Sequence, residues 1–263
     1  KSTKKGEKVD LVEKKLKSSQ QRQRKRVTVR TKFEFSVSYL VDLRNNSSRN
    51  RRRVWMSEIK WVFLDVGSTL VDESDVYESR CSYVISEKGL ERDEFMEKVH
   101  QAAKVSPKPI KQAAQAYGVT LPEWDSSLEK LYLGTEDVLK ALSGKYKLGI
   151  IANQLAGTKK RLHNWGVLHY FDVITASAEA GYEKPDLRIF RLALEQAGCN
   201  PQNAIMVGDR LENDIVPARQ LGMKTIWVRQ GFAKYQSVEK ECEKPDYIIE
   251  NIGEIVKVLM GRT

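Results

Sequence analysis

Cysteine and histidine are scarce in this 263-residue chain, with three of each. Cys81, Cys199 and Cys242 are an odd number with no CxxC pairing. A disulfide framework or a cysteine zinc site is therefore not expected, and a reducing cytoplasm is the natural setting. His100, His163 and His169 share no ligand spacing and read as surface or helix residues. No apolar run approaches the roughly 18 residues that a membrane span requires. The N-terminal stretch lacks the apolar core of a secretory signal, so neither a membrane partner nor that export route is expected. Core-forming residues are present in ordinary measure, with 41% hydrophobic and 8% aromatic, enough for a sizeable core.

Acidic residues are thin in one place only. Residues 1–55 hold 18 Lys and Arg against 5 Asp and Glu, a net +13, whereas the remainder holds 27 against 30, a net −3. All the excess positive charge of a chain at +10 thus sits in its leading segment. Between "KSTKKGEKVDLVEKKLKSSQQRQRKR" and "RNNSSRNRRR" lies "VTVRTKFEFSVSYL", which alternates apolar residues with a strand-like period. One reading is an arm that binds nucleic acid. The plainer one is a solvated extension, since no aromatic-basic recognition motif accompanies the charge.

From Met56 onward, short apolar runs alternate with amphipathic segments. Trp61–Val66, Leu148–Ala152, Phe171–Thr175, Ala204–Val207, Thr225–Val228 and Tyr247–Ile249 have the length and flanks of buried parallel strands. Between them, "LRIFRLALEQAG" and "NDIVPARQLG" read as helices stopped by Gly198 and Gly222. The pattern predicts an α/β fold, a doubly wound Rossmann-like parallel sheet. Between Asp72 and about Gly144 no strand is expected, and helical segments fill the gap. The domain reading is a basic extension (1–55), a core (56–75 and 145–263) and a helical cap (76–144) inserted after the first strand. Such a cap would close over the carboxyl ends of the strands.

Four stretches carry chemistry: "WVFLDVGSTLVDE" with Asp65 off the end of a strand, "GIIANQ" ending at Ala152-Asn153, "GYEKPDLRIF" with Lys184, and "IMVGDRLENDI" with Asp209 and Asp214. Each alone is weak, because a strand-end Asp can simply cap a helix and a first-turn acid can serve the helix dipole. Together and in this order, over about residues 59–259, they resemble the haloacid dehalogenase-like hydrolases, in the branch with a helical cap. The resemblance implies Asp65 as nucleophile, Lys184 as the cation against the transferring group, and Mg2+ held by Asp65, the Gly67 carbonyl, Asp209 and Asp214. It also implies Thr69 and Asn153 as substrate-orienting groups and a small phosphorylated metabolite hydrolysed through an aspartyl-phosphate. A carboxylate nucleophile splits one hard displacement into two easier ones, and both reactants are anionic, so positive charge must be supplied.

Two positions depart from the family pattern. Gly67 stands where most of its phosphatases carry the acid that protonates the leaving group and activates water. Ala152 stands where a hydroxyl is usual. General acid–base help is worth about 10²–10⁴-fold, so its loss would slow such an enzyme without silencing it. Hydrolysis of a phosphonate or a 2-haloacid is the alternative chemistry. The former needs a cap lysine, and Lys104, Lys108 and Lys111 are available. From a different class, a catalytically decayed binding protein with an RNA-contacting arm would fit the basic segment.

Overall fold

The computed structural model describes residues 58–261, and the expected basic extension, with its strand-like stretch, lies outside them. A six-stranded parallel sheet runs through these residues in the order β5-β4-β1-β6-β7-β8. Its strands are β1 (Trp61–Leu64), β4 (Lys147–Ala152), β5 (Val173–Ala176), β6 (Ala204–Gly208), β7 (Lys224–Val228) and β8 (Tyr247–Ile249). The continuous apolar runs follow from position. β6 is buried along its whole length and β1 and β4 at all but their first residues, whereas edge strand β8 exposes Ile248.

Helices cover the sheet. The helix Leu187–Gln196 turns Ile189, Phe190, Ala193 and Leu194 inward against Phe63, Ile151 and Met206. That spacing is one face of a 3.6-residue period. Asp186 starts it by accepting a hydrogen bond from the Arg188 N–H, and Gly198, at φ 56°, ends the chain's descent. Among the described residues, no helix is long and apolar enough to cross a membrane.

The insertion after β1 begins with α1 (Ser74–Lys88), α2 (Arg92–Ala103) and α3 (Pro109–Ala116). These three helices bury Cys81, Val84, Phe95, Val99, Ile110 and Ala113 in an apolar cluster distinct from the sheet's core. Two features differ from the expectation of an all-helical stretch to residue 144. β2 (Val71–Asp72) pairs antiparallel with β3 (Lys130–Leu131), forming a ribbon where the chain leaves and rejoins the core. Strands of two residues, about 60 apart in sequence, have no period to detect. In addition, α4 (Thr135–Ser143) packs on β4 and on the last helix, α5 (Ile255–Met260), so it lies against the sheet. Its buried face, Val138, Leu139 and Leu142, is apolar because it meets the sheet.

Candidate active site

Parallel pairing explains how residues far apart in sequence meet. β1 lies between β4 and β6, with Leu64 in register with Ile150 on one side and Val207 on the other. The segments that follow these three neighbours therefore leave the sheet at the same carboxyl end, which is where open α/β sheets bind ligands. Asp65, Asn153 and Asp209 emerge there. Asp214 arrives from the π-helical turn Leu211–Ile215 that follows β6. Gly208 makes room for it: a Cβ at that position would lie 2.3 Å from Asp214 Cγ.

Lys184 joins the carboxylates. Its ammonium donates to Asp65 Oδ1 at 2.7 Å and to Asp214 Oδ1 at 2.6 Å, fully inside the protein. Burial alone would depress this lysine, but the Asp214 and Asp65 carboxylates outweigh it and hold the group well above the usual lysine range. Asp214 Oδ2 accepts from the Arg210 N–H at 3.0 Å, so both of its oxygens are engaged. Asn153 was expected to orient substrate. It lines the cavity, and its amide also clamps the lysine loop, donating to the Lys184 carbonyl at 2.9 Å and accepting from the Lys184 N–H at 2.6 Å. Thr69 departs from expectation: its hydroxyl is fully buried without a hydrogen-bond partner and does not line the cavity, where Ser68 stands instead.

Asp65, Asp209 and Asp214 bring ligand oxygens within 4.8 Å of one another, all buried. Desolvation pushes Asp209 well above the ordinary carboxylate range despite Arg210 nearby. Desolvation likewise lifts Asp214 to about 6, against the pull of Lys184. One ammonium thus leaves the three carboxylates with excess negative charge. An all-oxygen donor set with that excess suits a hard divalent cation such as Mg2+. Asp65 and Asp209 are the carboxylates best able to bind it, since Asp214 is already taken by Lys184 and Arg210.

Above this cluster lies a cavity of about 410 Å³, lined by the loops at the strand ends and by the inserted segment, a volume suited to a small metabolite. The inserted segment contributes Tyr77, Arg80, Lys108, Lys111 and Trp124 to its lining, and Arg161 joins them from the helix after β4. Lys104 is not part of the lining.

The residue that sequence reasoning passed over is Glu73. The N–H groups of Leu70 and Val71 both donate to the Val66 carbonyl at 2.9 Å, doubling the chain back so that residue 73 returns over Gly67. Glu73 is buried and lines the cavity. Its Oε2 accepts from the Tyr77 hydroxyl at 2.5 Å and from the Ser68 hydroxyl at 3.0 Å. Desolvation raises its carboxyl to about 7, with the two hydroxyls pulling the other way. An acid in a motif that lacks its second acid was the available signal.

An open parallel sheet with a carboxylate–lysine cluster outside its strand ends, under an inserted set of helices, defines a Rossmann-like α/β enzyme fold. The chain belongs to the haloacid dehalogenase-like hydrolases, whose family pattern matches residues 62–228. A glyceraldehyde 3-phosphate phosphatase of Methanothermobacter thermautotrophicus is 30% identical over 75% of this chain and 87% of its own length. A phosphoglycolate phosphatase of Agrobacterium fabrum is 28% identical over 75% and 91%. The crystal structure of a haloacid dehalogenase-type phosphatase from Thermococcus onnurineus shares the fold at a TM-score of 0.53 and 23% identity, over 78% of this chain and 99% of that one.

Proposed function

We propose that this chain is a magnesium-dependent phosphatase that hydrolyses a small phosphorylated metabolite through an aspartyl-phosphate on Asp65. The observation that carries the reading is Lys184, buried between Asp65 and Asp214 and lining the same cavity as both. Both named relatives are phosphatases of small phosphorylated metabolites by name, which supports the reaction class. Asp65 Oδ1 is held by Lys184, leaving Oδ2 to attack phosphorus. Lys184 stays charged and offsets the negative charge that builds on the transferring group. Mg2+ held by Asp65 and Asp209 would neutralise phosphoryl charge and orient the group for in-line displacement. Asp214 and Asn153 fix the lysine's head and its backbone. Lys108, Lys111 and Arg80 favour an anionic substrate, and the cavity volume favours a small one. A cytoplasmic setting accords with the sparse, unpaired cysteines.

The test is turnover of a generic aryl phosphate with and without Mg2+. Chelation by EDTA should stop it and added Mg2+ should restore it. Hydrolysis undiminished in EDTA, or release of halide from a 2-haloacid in its place, would overturn the reading.

A further inference from the structure

The geometry points to Glu73 as the proton carrier of the site, occupying the space that a side chain at residue 67 would fill. This inference rests on the phosphatase reading above. A Cβ built on Gly67 would lie 2.4 Å from Glu73 Oε1, 2.9 Å from its Cδ and 3.0 Å from Oε2. Those separations are too short for two side chains, so the carboxyl group stands in the volume that the glycine vacates. Gly67 does not have a positive φ, so its backbone does not call for glycine, and a side chain there would have to displace the Glu73 carboxyl. The carboxyl is held from one side, where Tyr77 and Ser68 both donate to Oε2, and Ser68 and Tyr77 are themselves 3.3 Å apart. Oε1 is the oxygen nearest the place that a Gly67 side chain would take. Glu73, Gly67, Asp65 and Lys184 line one cavity.

In the first step Asp65 Oδ2 bonds to phosphorus and the bond from phosphorus to the leaving oxygen breaks. The electron pair goes to that oxygen, which takes the proton of the Glu73 carboxyl. In the second step water bonds to phosphorus and gives a proton to the Glu73 carboxylate. The bond to Asp65 breaks, returning the electron pair to that carboxylate. One ester and one water become an alcohol and phosphate, with Glu73 restored. The acid that the motif lacks at Gly67 is thus supplied six residues later, from the first turn leading into the cap.

Glu73→Gln keeps the shape and an acceptor for Tyr77 but carries no transferable proton. With Mg2+ present, its turnover of an alkyl phosphate should fall by about 10²–10⁴-fold. With an aryl phosphate, whose leaving group needs little protonation, the phenol should appear as a burst of about one equivalent, then slowly, because the aspartyl-phosphate waits for its water. Gly67→Asp should give no gain in the wild-type background, where Glu73 already supplies the proton. In a Glu73→Ala background the same change should raise alkyl-phosphate turnover at least about tenfold. This second comparison also serves if Glu73→Gln folds poorly. Alkyl-phosphate turnover by Glu73→Gln within about threefold of wild type, without a burst, would overturn the inference while leaving the phosphatase reading intact. Absence of any phosphate-ester hydrolysis by the wild-type protein would overturn both.

Discussion

Lys184→Met is the sharpest probe of the buried charge cluster. Methionine matches the length of the lysine stem and can fill its volume, so the change removes mainly the ammonium. In the folded chain the Lys184 side chain is 2% exposed and its partners Asp65 and Asp214 are 12% and 0% exposed. Removing one partner of a buried ion pair typically costs about 3–5 kcal/mol, because the remaining charges are left uncompensated. The structure gives an independent scale. Even with Lys184 present, Asp214 rises from 3.8 to about 6, a cost of about 3 kcal/mol at neutral pH for keeping it ionised. A folded-state pKa raised above the unfolded one favours folding at low pH, and that contribution is lost as pH rises through the folded value. Without the ammonium the Asp214 value rises further, so the variant's deficit should be largest near pH 8 and shrink toward pH 5. Urea denaturation in EDTA at the two pH values measures it. A deficit that is equal at both, or greater at pH 5, would refute the account of a lysine stabilising buried carboxylates.

Other outcomes follow from the same geometry. Asp65→Asn, nearly isosteric, should fold normally and lose essentially all turnover, and more than a few per cent of wild-type kcat would exclude a covalent role. Asp209→Ala should weaken Mg2+ binding in calorimetry by at least about tenfold while raising stability in EDTA, since it removes a buried carboxylate held well above its ordinary range; unchanged affinity would remove Asp209 from the metal site. Gly208→Ala forces a Cβ to within 2.3 Å of Asp214 Cγ and should cost about 1–3 kcal/mol, with a lower Tm and lower kcat together. Glu73→Gln should raise stability at pH 8, where the native carboxyl, lifted from 4.5 to about 7, is ionised against its surroundings. The gain, up to about 3 kcal/mol, should vanish below about pH 4.5, and a gain that persists there would place its origin elsewhere.

Much of this protein was decided locally. Six apolar runs, each too short for a helix of that hydrophobicity and flanked by turn residues, specify buried parallel strands because only such strands are covered on both faces. A carboxylate just past an apolar strand, followed by Gly-Ser-Thr, specifies a strand-end turn. The order of Asp65, Lys184, Asp209 and Asp214 was legible for the same reason, since each sits at a boundary that the chain's own pattern marks. What the pattern did not contain is who shares a volume with whom. Asn153 has the right chemistry to hold a phosphoryl oxygen, and only the approach of the Lys184 backbone shows that its amide also fixes the lysine loop. Thr69 has a useful hydroxyl, yet the turn points it into the interior. The two-residue ribbon depends on partners about 60 residues apart, and the packing of Thr135–Ser143 depends in part on Ile255–Met260, more than 100 residues on. Gly67 read in one dimension is an acid missing from its motif. In three dimensions the chain doubles back on the Val66 carbonyl and sets the Glu73 carboxyl where that acid's side chain would have been, because glycine leaves the space and no property of residue 67 itself records what fills it.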